Sequence, residues 1–179
     1  MIQYLRLLIT CVAASFSVDA ISAVDSCSRS SAHKVEAIFA EAIVLNQSFQ
    51  KSAQNSDTND EKYRVLRKRS EQNYEGKLMP CIKRATQLLS KDTNIKLMQK
   101  LMQLVVSFEN TADETLSYSM GKVFAANPQI IEVSMKKFSD SERRVIATSV
   151  QLGWTNVRPG LAPTLVKDRD MRVKNLLLL

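Results

Sequence analysis

Glu109, Asp113 and Glu114 lie within six positions of one another, and they are the carboxylates in this chain most suggestive of acid–base work. Two such groups flanking a glycosidic bond can hydrolyse it, one as acid and the other as base or nucleophile. The surrounding letters offer a plainer reading. Thr111-Ala112-Asp113-Glu114 has the form of a helix capping box, and a carboxylate in the first helical turn is favoured by the helix dipole. An envelope hydrolase built on these residues is therefore kept as an alternative only. His33 is the sole histidine, too little for a metal cluster, and the 4 glycines are too scattered for a phosphate-cradling loop. The sequence assigns no catalytic residue, no metal ligand and no cofactor.

Charge is the stronger chemical signal. Arg64, Arg67, Lys68 and Arg69 place four cations in a short run, with Lys83 and Arg84 following and Lys136, Lys137, Arg143 and Arg144 later. The chain carries a net charge of +7. Such a face suits an anionic envelope component or an acidic protein, and its ordinary alternative is a solvated surface that aids solubility. The same run contains Arg64-Val65-Leu66-Arg67, the Arg-x-Leu-Arg form found in secreted host-directed effectors, which gives a third functional class.

A second candidate partner surface is Glu114, Tyr118, Gly121 and Trp154. Tyr118 stands four residues after Glu114 and shares its helix face, and Gly121 leaves room for a backbone or a ligand to approach. Trp154 follows Gly153, which is read as the glycine that ends a helix, so the indole packs back on the last turn or anchors an interface. Helix–helix packing accounts for the same letters.

The elements that must position these residues are helices. Apolar steps of three and four from Val35 to Phe49 predict a first helix over about 31–53. Thr58-Asn59-Asp60-Glu61 starts a basic second helix that Gly76 weakens and Pro80 breaks, and Pro80 opens a third. Asp92 or Thr93 caps a fourth, over about 93–109, apolar on so many sides that it belongs in the centre of a bundle, with Met98 and Met102 as core. Three short helices follow from Thr111. They are separated by Asn127-Pro128 and by the box Ser139-Asp140-Ser141-Glu142, and they end at Gly153. Pro159, Gly160 and Pro163 loosen the chain before a tail or short helix over 166–179, whose leucines Leu176 to Leu179 are expected to dock on the bundle.

Residues 1–23 read as a secretory signal peptide. Arg6 precedes the apolar run Leu7 to Phe16, and small residues Ala20 and Ala23 offer cleavage positions. Loss of this segment removes Arg6 and Asp19 and leaves the charge at +7. It also leaves no apolar stretch long enough to span a bilayer. Cys27 and Cys81 remain, and an exported chain with two cysteines predicts a disulfide between them. Export makes nucleic acid an unnatural partner.

The spacing Ala112-Asp113-Glu114, Leu116-Ser117-Tyr118, Gly121, Phe124, Asn127-Pro128, Gly153-Trp154 and Asn156-Val157 resembles uncharacterised exported helical proteins of Gram-negative bacteria, over about residues 109–157. The resemblance implies a periplasmic location and no particular activity. The expectation is one all-α domain over 24–165, a single helical bundle of six to seven helices with one disulfide. It would act as a non-enzymatic binding protein in the periplasm or outside the cell. The partner is an unknown protein or an anionic envelope component, and the oligomeric state is left open.

Overall fold

Helix α1 (Ala32–Asn55) runs alongside α2 (Glu61–Asn73), which passes through a π-helical turn (Tyr74–Leu78) into α3 (Met79–Leu89). Five more helices follow: α4 (Ile95–Ser107), α5 (Thr115–Ala126), α6 (Pro128–Met135), α7 (Asp140–Val157) and α8 (Pro163–Leu176), the last two joined by a 3-10 turn (Arg158–Gly160). Because α2 and α3 form one unbroken rod, the eight segments make seven rods. The structure, a computed structural model, describes residues 27–55, 61–109 and 114–178, and among them there is no strand. The all-α bundle expected from the periodicity is what the chain forms. The predicted signal segment 1–23, the cap residues at Thr58 and Thr111, and Asp113 fall outside the described residues.

α4 is the axis of the bundle, packing against α1, α3, α6 and α7. It buries Leu97, Met98, Leu101, Met102, Leu104 and Val105. Each such side chain contributes about 1.5–3 kcal/mol relative to exposure. The two methionines are core residues. The helix begins one residue later than its flanking letters suggested: the cap is Asn94, whose side chain accepts from the Leu97 N–H at 2.9 Å, in place of Asp92 or Thr93. Its far end is satisfied from α1. The side-chain amides of Asn46 and Gln50 both donate to the Ser107 carbonyl, the second at 2.9 Å, closing orphan acceptors that a helix C-terminus otherwise leaves bare.

Pro80 does not break the second helix. Its ring would press on the carbonyl four residues back, that of Gly76, and it has no N–H to donate. The chain answers by widening one turn: the Met79 N–H reaches back five residues to the Tyr74 carbonyl. This i→i+5 turn absorbs the proline and lets the rod continue.

Cys27 and Cys81 are joined by a disulfide with Cα atoms 5.3 Å apart. Closing 54 residues of chain contributes about 4 kcal/mol in the chain-entropy account. Beside it, Arg84 donates through Nε to the Ser30 carbonyl at 3.2 Å, so the leading segment is held to α3 by two links.

The second half corrects two expectations. Gly153 is no terminator: α7 runs on to Val157, no glycine has positive φ, and Trp154 lies within the helix at 2% exposure. The glycine serves close packing there. The loosening expected at Pro163 is also absent. Pro163 opens α8, so the short terminal helix begins before 166, and its buried Val173 and Leu176 pack it against the body. Of the described terminal leucines only Leu176 docks, whereas Leu177 is exposed and Leu178 is 85% exposed. Asn127 precedes Pro128 as expected, but its side chain makes no capping bond. The box at Ser139 is complete. Ser139 Oγ accepts from the Glu142 N–H, and the Glu142 carboxylate accepts from the Ser139 N–H at 2.9 Å.

Candidate functional site

α3 and α5 leave an open groove of about 940 Å³ between them. On the α3 side its wall carries Met79, Lys83 and Gln87, spaced every four residues so that they form one row along the helix, with Lys91 in the turn that follows it. On the α5 side it carries Thr115, Tyr118, Ser119 and Lys122. Ile82 and Thr86 form its floor, with Arg84 on the same wall and Ser28 beside the disulfide. Glu75 is the one carboxylate in this lining. Four cations thus surround a floor that is mostly carbon. Among the described residues, Lys83, Lys91 and Lys122 have no carboxylate within ion-pairing distance.

The geometry of α5 divides the predicted surface of Glu114, Tyr118, Gly121 and Trp154. Glu114 is exposed where α5 begins, and its side chain makes no capping bond. Tyr118 is 42% exposed and faces the groove, with Lys122 Nζ 4.5 Å from its ring centroid. This cation–π contact contributes about 0.5–1 kcal/mol at such a site and holds the lysine on the rim. Gly121 is buried on the other side, against α7, and Trp154 is buried within α7, so neither offers surface to a partner. Two of the four residues therefore remain surface.

The basic run forms a second surface on the same rod. Arg64, Arg67, Lys68 and Arg69 are all exposed on α2, with Val65 among them at 55% exposure. α2 packs chiefly on α1, with Tyr63 against Phe49 at 5.4 Å between ring centroids. It therefore stands out as one arm of a helical hairpin. Arg67 pairs with Glu71 at 2.9 Å, and that carboxylate holds the guanidinium above its ordinary pKa. Both partners are exposed, and such a pair contributes little to stability. Of the later cations, Arg143 is engaged by Asp140, and all four sit at the α6–α7 corner.

A smaller cavity of about 650 Å³ lies between the 3-10 turn and α8, lined by Arg158, Leu161, Val166, Asp170 and Met171 among others. Asp170 is already engaged there: it accepts from Trp154 Nε1 at 2.8 Å and pairs with Arg158 at 3.5 Å. This corner ties α8 to the body. Arg169 donates to the Ala125 carbonyl, and Arg172 bonds Glu132 at 3.0 Å, which raises the guanidinium pKa.

Of the residues weighed for catalysis, His33 and Glu109 are exposed, as is Glu114, and Asp113 is not described. Among the described residues no group of three or more His, Cys, Asp or Glu is placed to hold a metal ion, and no helix is long and apolar enough to cross a membrane. Sequence reasoning missed Lys91 and Lys122 as members of a site. The four-residue spacing of Lys83, Gln87 and Lys91 beside apolar Ile82, Ala85 and Leu89 is the signal that could have found the α3 bank.

No protein-family model, curated protein or solved structure matches this chain. Fold and groove together define a disulfide-stapled helical bundle that presents a cationic cleft. Its functional reading rests on those residues.

Proposed function

We propose that this chain is an exported, non-enzymatic binding protein that recognises an anionic partner through the cationic α2–α3 rod. The observation that carries the reading is the groove itself. Cations stand on both banks of an open cleft with a carbon-rich floor, and three of them lack an ion-pair partner among the described residues. Charges held apart from counter-charges on low-dielectric walls focus a field that attracts anions. The exposed arm of Arg64, Arg67, Lys68 and Arg69 extends that field along the same rod.

Export is supported by the apolar N-terminal run and by the Cys27–Cys81 disulfide, which persists in oxidising compartments. Periplasm is the favoured compartment, on the resemblance over residues 109–157. Expression of the full chain in a Gram-negative host, followed by fractionation and crosslinking at low and at high salt, tests the reading. The expected product is shortened at its N-terminus, found in the periplasm, and crosslinked to a partner that high salt releases. Retention of the uncut chain in the cytoplasm, or capture indifferent to salt, would overturn it.

A further inference from the structure

We propose that the α3–α5 groove is the docking site for an acidic amphipathic helix of a partner protein. This names the partner chemistry of the cationic cleft and so rests on the reading above. Three features of the cleft select a helix over other anions.

The first is its length. The groove follows its rod from Glu75 to the end of α3 at Leu89, which at 1.5 Å per residue is about 21 Å, with Lys91 in the turn beyond. That accommodates four turns of a partner helix lying along it.

The second is the distribution of charge. Lys83 stands within α3, Lys91 in the turn just beyond its end, and Lys122 on the opposite bank. An amphiphile with a single headgroup concentrates its charge at one end and would leave part of this set unmatched. A helix with carboxylates on both flanks of an apolar seam meets the set on both sides and along its length.

The third is the floor. Met79 and Pro80 on one bank and the ring of Tyr118 on the other give apolar seats above the fully buried Ile82, which the apolar seam of a helix can fill. A hydrophilic polyanion would leave them empty. A second copy of this chain is the wrong occupant on charge, since each copy carries +7.

Fluorescence anisotropy on the purified, disulfide-bonded protein tests the assignment. The probe is a labelled synthetic helix of about 18 residues, with leucines at i, i+3 and i+7 flanked by glutamates. A scrambled peptide of the same composition and palmitate are the comparators. The ordered peptide is expected to bind at least about tenfold more tightly than the scrambled one, a difference of about 1.4 kcal/mol. Lys83→Glu with Lys122→Glu should abolish that advantage. Neutralising Lys136 and Lys137 to Gln should leave it within about twofold, since that exposed pair at the α6–α7 corner lies outside both the groove and the α2–α3 rod. A photo-crosslinker at exposed Gln87 should label the peptide. Equal binding of the scrambled peptide, displacement by palmitate, an equal loss in the Lys136 and Lys137 variant, or a silent Gln87 crosslinker would each overturn the proposal. None of these would affect the salt-released partner in the exporting cell, so the two failures are separable. Unchanged circular dichroism of both variants confirms that surface charge alone was altered.

Discussion

Gly121 and Gly153 meet backbone to backbone where α5 crosses α7. A Cβ built on Gly121 would stand 2.6 Å from the Trp154 nitrogen, and one built on Gly153 would stand 2.7 Å from the Gly121 nitrogen. Both are below any separation that real side chains adopt. One turn earlier on each helix, Ser117 and Ser149 touch through their hydroxyls at 3.0 Å. Each helix thus presents Ser-x-x-x-Gly, the small-residue spacing that lets two helices approach closely. The approach also brings Trp154 edge-on to Phe124, with ring centroids 5.9 Å apart, a geometry that aromatic pairs favour.

Alanine at either crossing glycine must therefore push two backbones apart. Gly121→Ala or Gly153→Ala should cost about 3 kcal/mol or more, the upper range for overpacking. The double variant should cost less than the two losses added, because one separation relieves both. Gly76→Ala is the contrasting control. A Cβ there meets nothing within 4 Å, so this change should stabilise by about 0.5–1 kcal/mol. Urea unfolding of the four proteins checks the order, and a mild Gly121→Ala would remove the crossing from the account.

Trp154 is the only tryptophan, so its emission reports on one place. Its indole N–H is bonded to Asp170 on α8. Asp170→Leu leaves that buried donor unpaired and should cost about 1–3 kcal/mol, with a red shift as α8 loosens and water reaches the ring. Asp170→Asn keeps an acceptor and should hold the emission maximum, losing only the weak exposed pairing with Arg158. Identical spectra for the leucine variant and the unaltered protein would show that α8 is held by other contacts.

Ser139 gives a pH-dependent test. Hydrogen bonds from its side chain and then its backbone hold the Glu142 carboxyl below its ordinary range. A lowered folded-state value means that stability is present above the ordinary carboxylate pKa and is lost as pH falls through the folded one. Ser139→Ala should therefore cost about 1 kcal/mol near neutrality. The gap should narrow as pH falls below the ordinary carboxylate range and Glu142 protonates. It should not vanish, because the Glu142 N–H bond to Ser139 Oγ is independent of pH. Paired urea titrations across that range measure the gap, and a constant difference would mean that the carboxylate plays no part.

Helices with strong local signals were legible from sequence. Ser139 and Glu142 announce their box, α4 its all-round apolarity, and Cys27 and Cys81 their pairing. Features set by tertiary contact were not. Gly153 before Trp154 looks like a helix end because glycine at a terminus and glycine at a crossing are the same letter. Only the matching Ser149, four residues earlier, and the same spacing at Ser117 and Gly121, betray the crossing. Pro80 reads as a break because its cost is local, while the wider turn that accommodates it is held by the packing of Tyr74 on Phe108 and the burial of Leu78. The groove was half visible. Tyr118 was singled out on its face, but Lys122 enters the site only through its seat on the tyrosine ring, and Lys91 only because α3 and α5 become neighbours.

The π turn at Tyr74–Leu78 is a helix carrying one residue more than its pitch requires. The wider turn spreads that extra residue over about the angle that one residue fewer covers in ordinary α winding, so the helices on either side keep their phase. The arm of Arg64, Arg67, Lys68 and Arg69 therefore holds the azimuth relative to Lys83 that a rod one residue shorter would give it, and Tyr63 stays on Phe49. What the surplus residue shifts is the count: across the turn, positions that share a face are one residue further apart than helical spacing predicts. A cationic stripe drawn from Arg69 to Lys83 by steps of three and four alone would be one residue out of step.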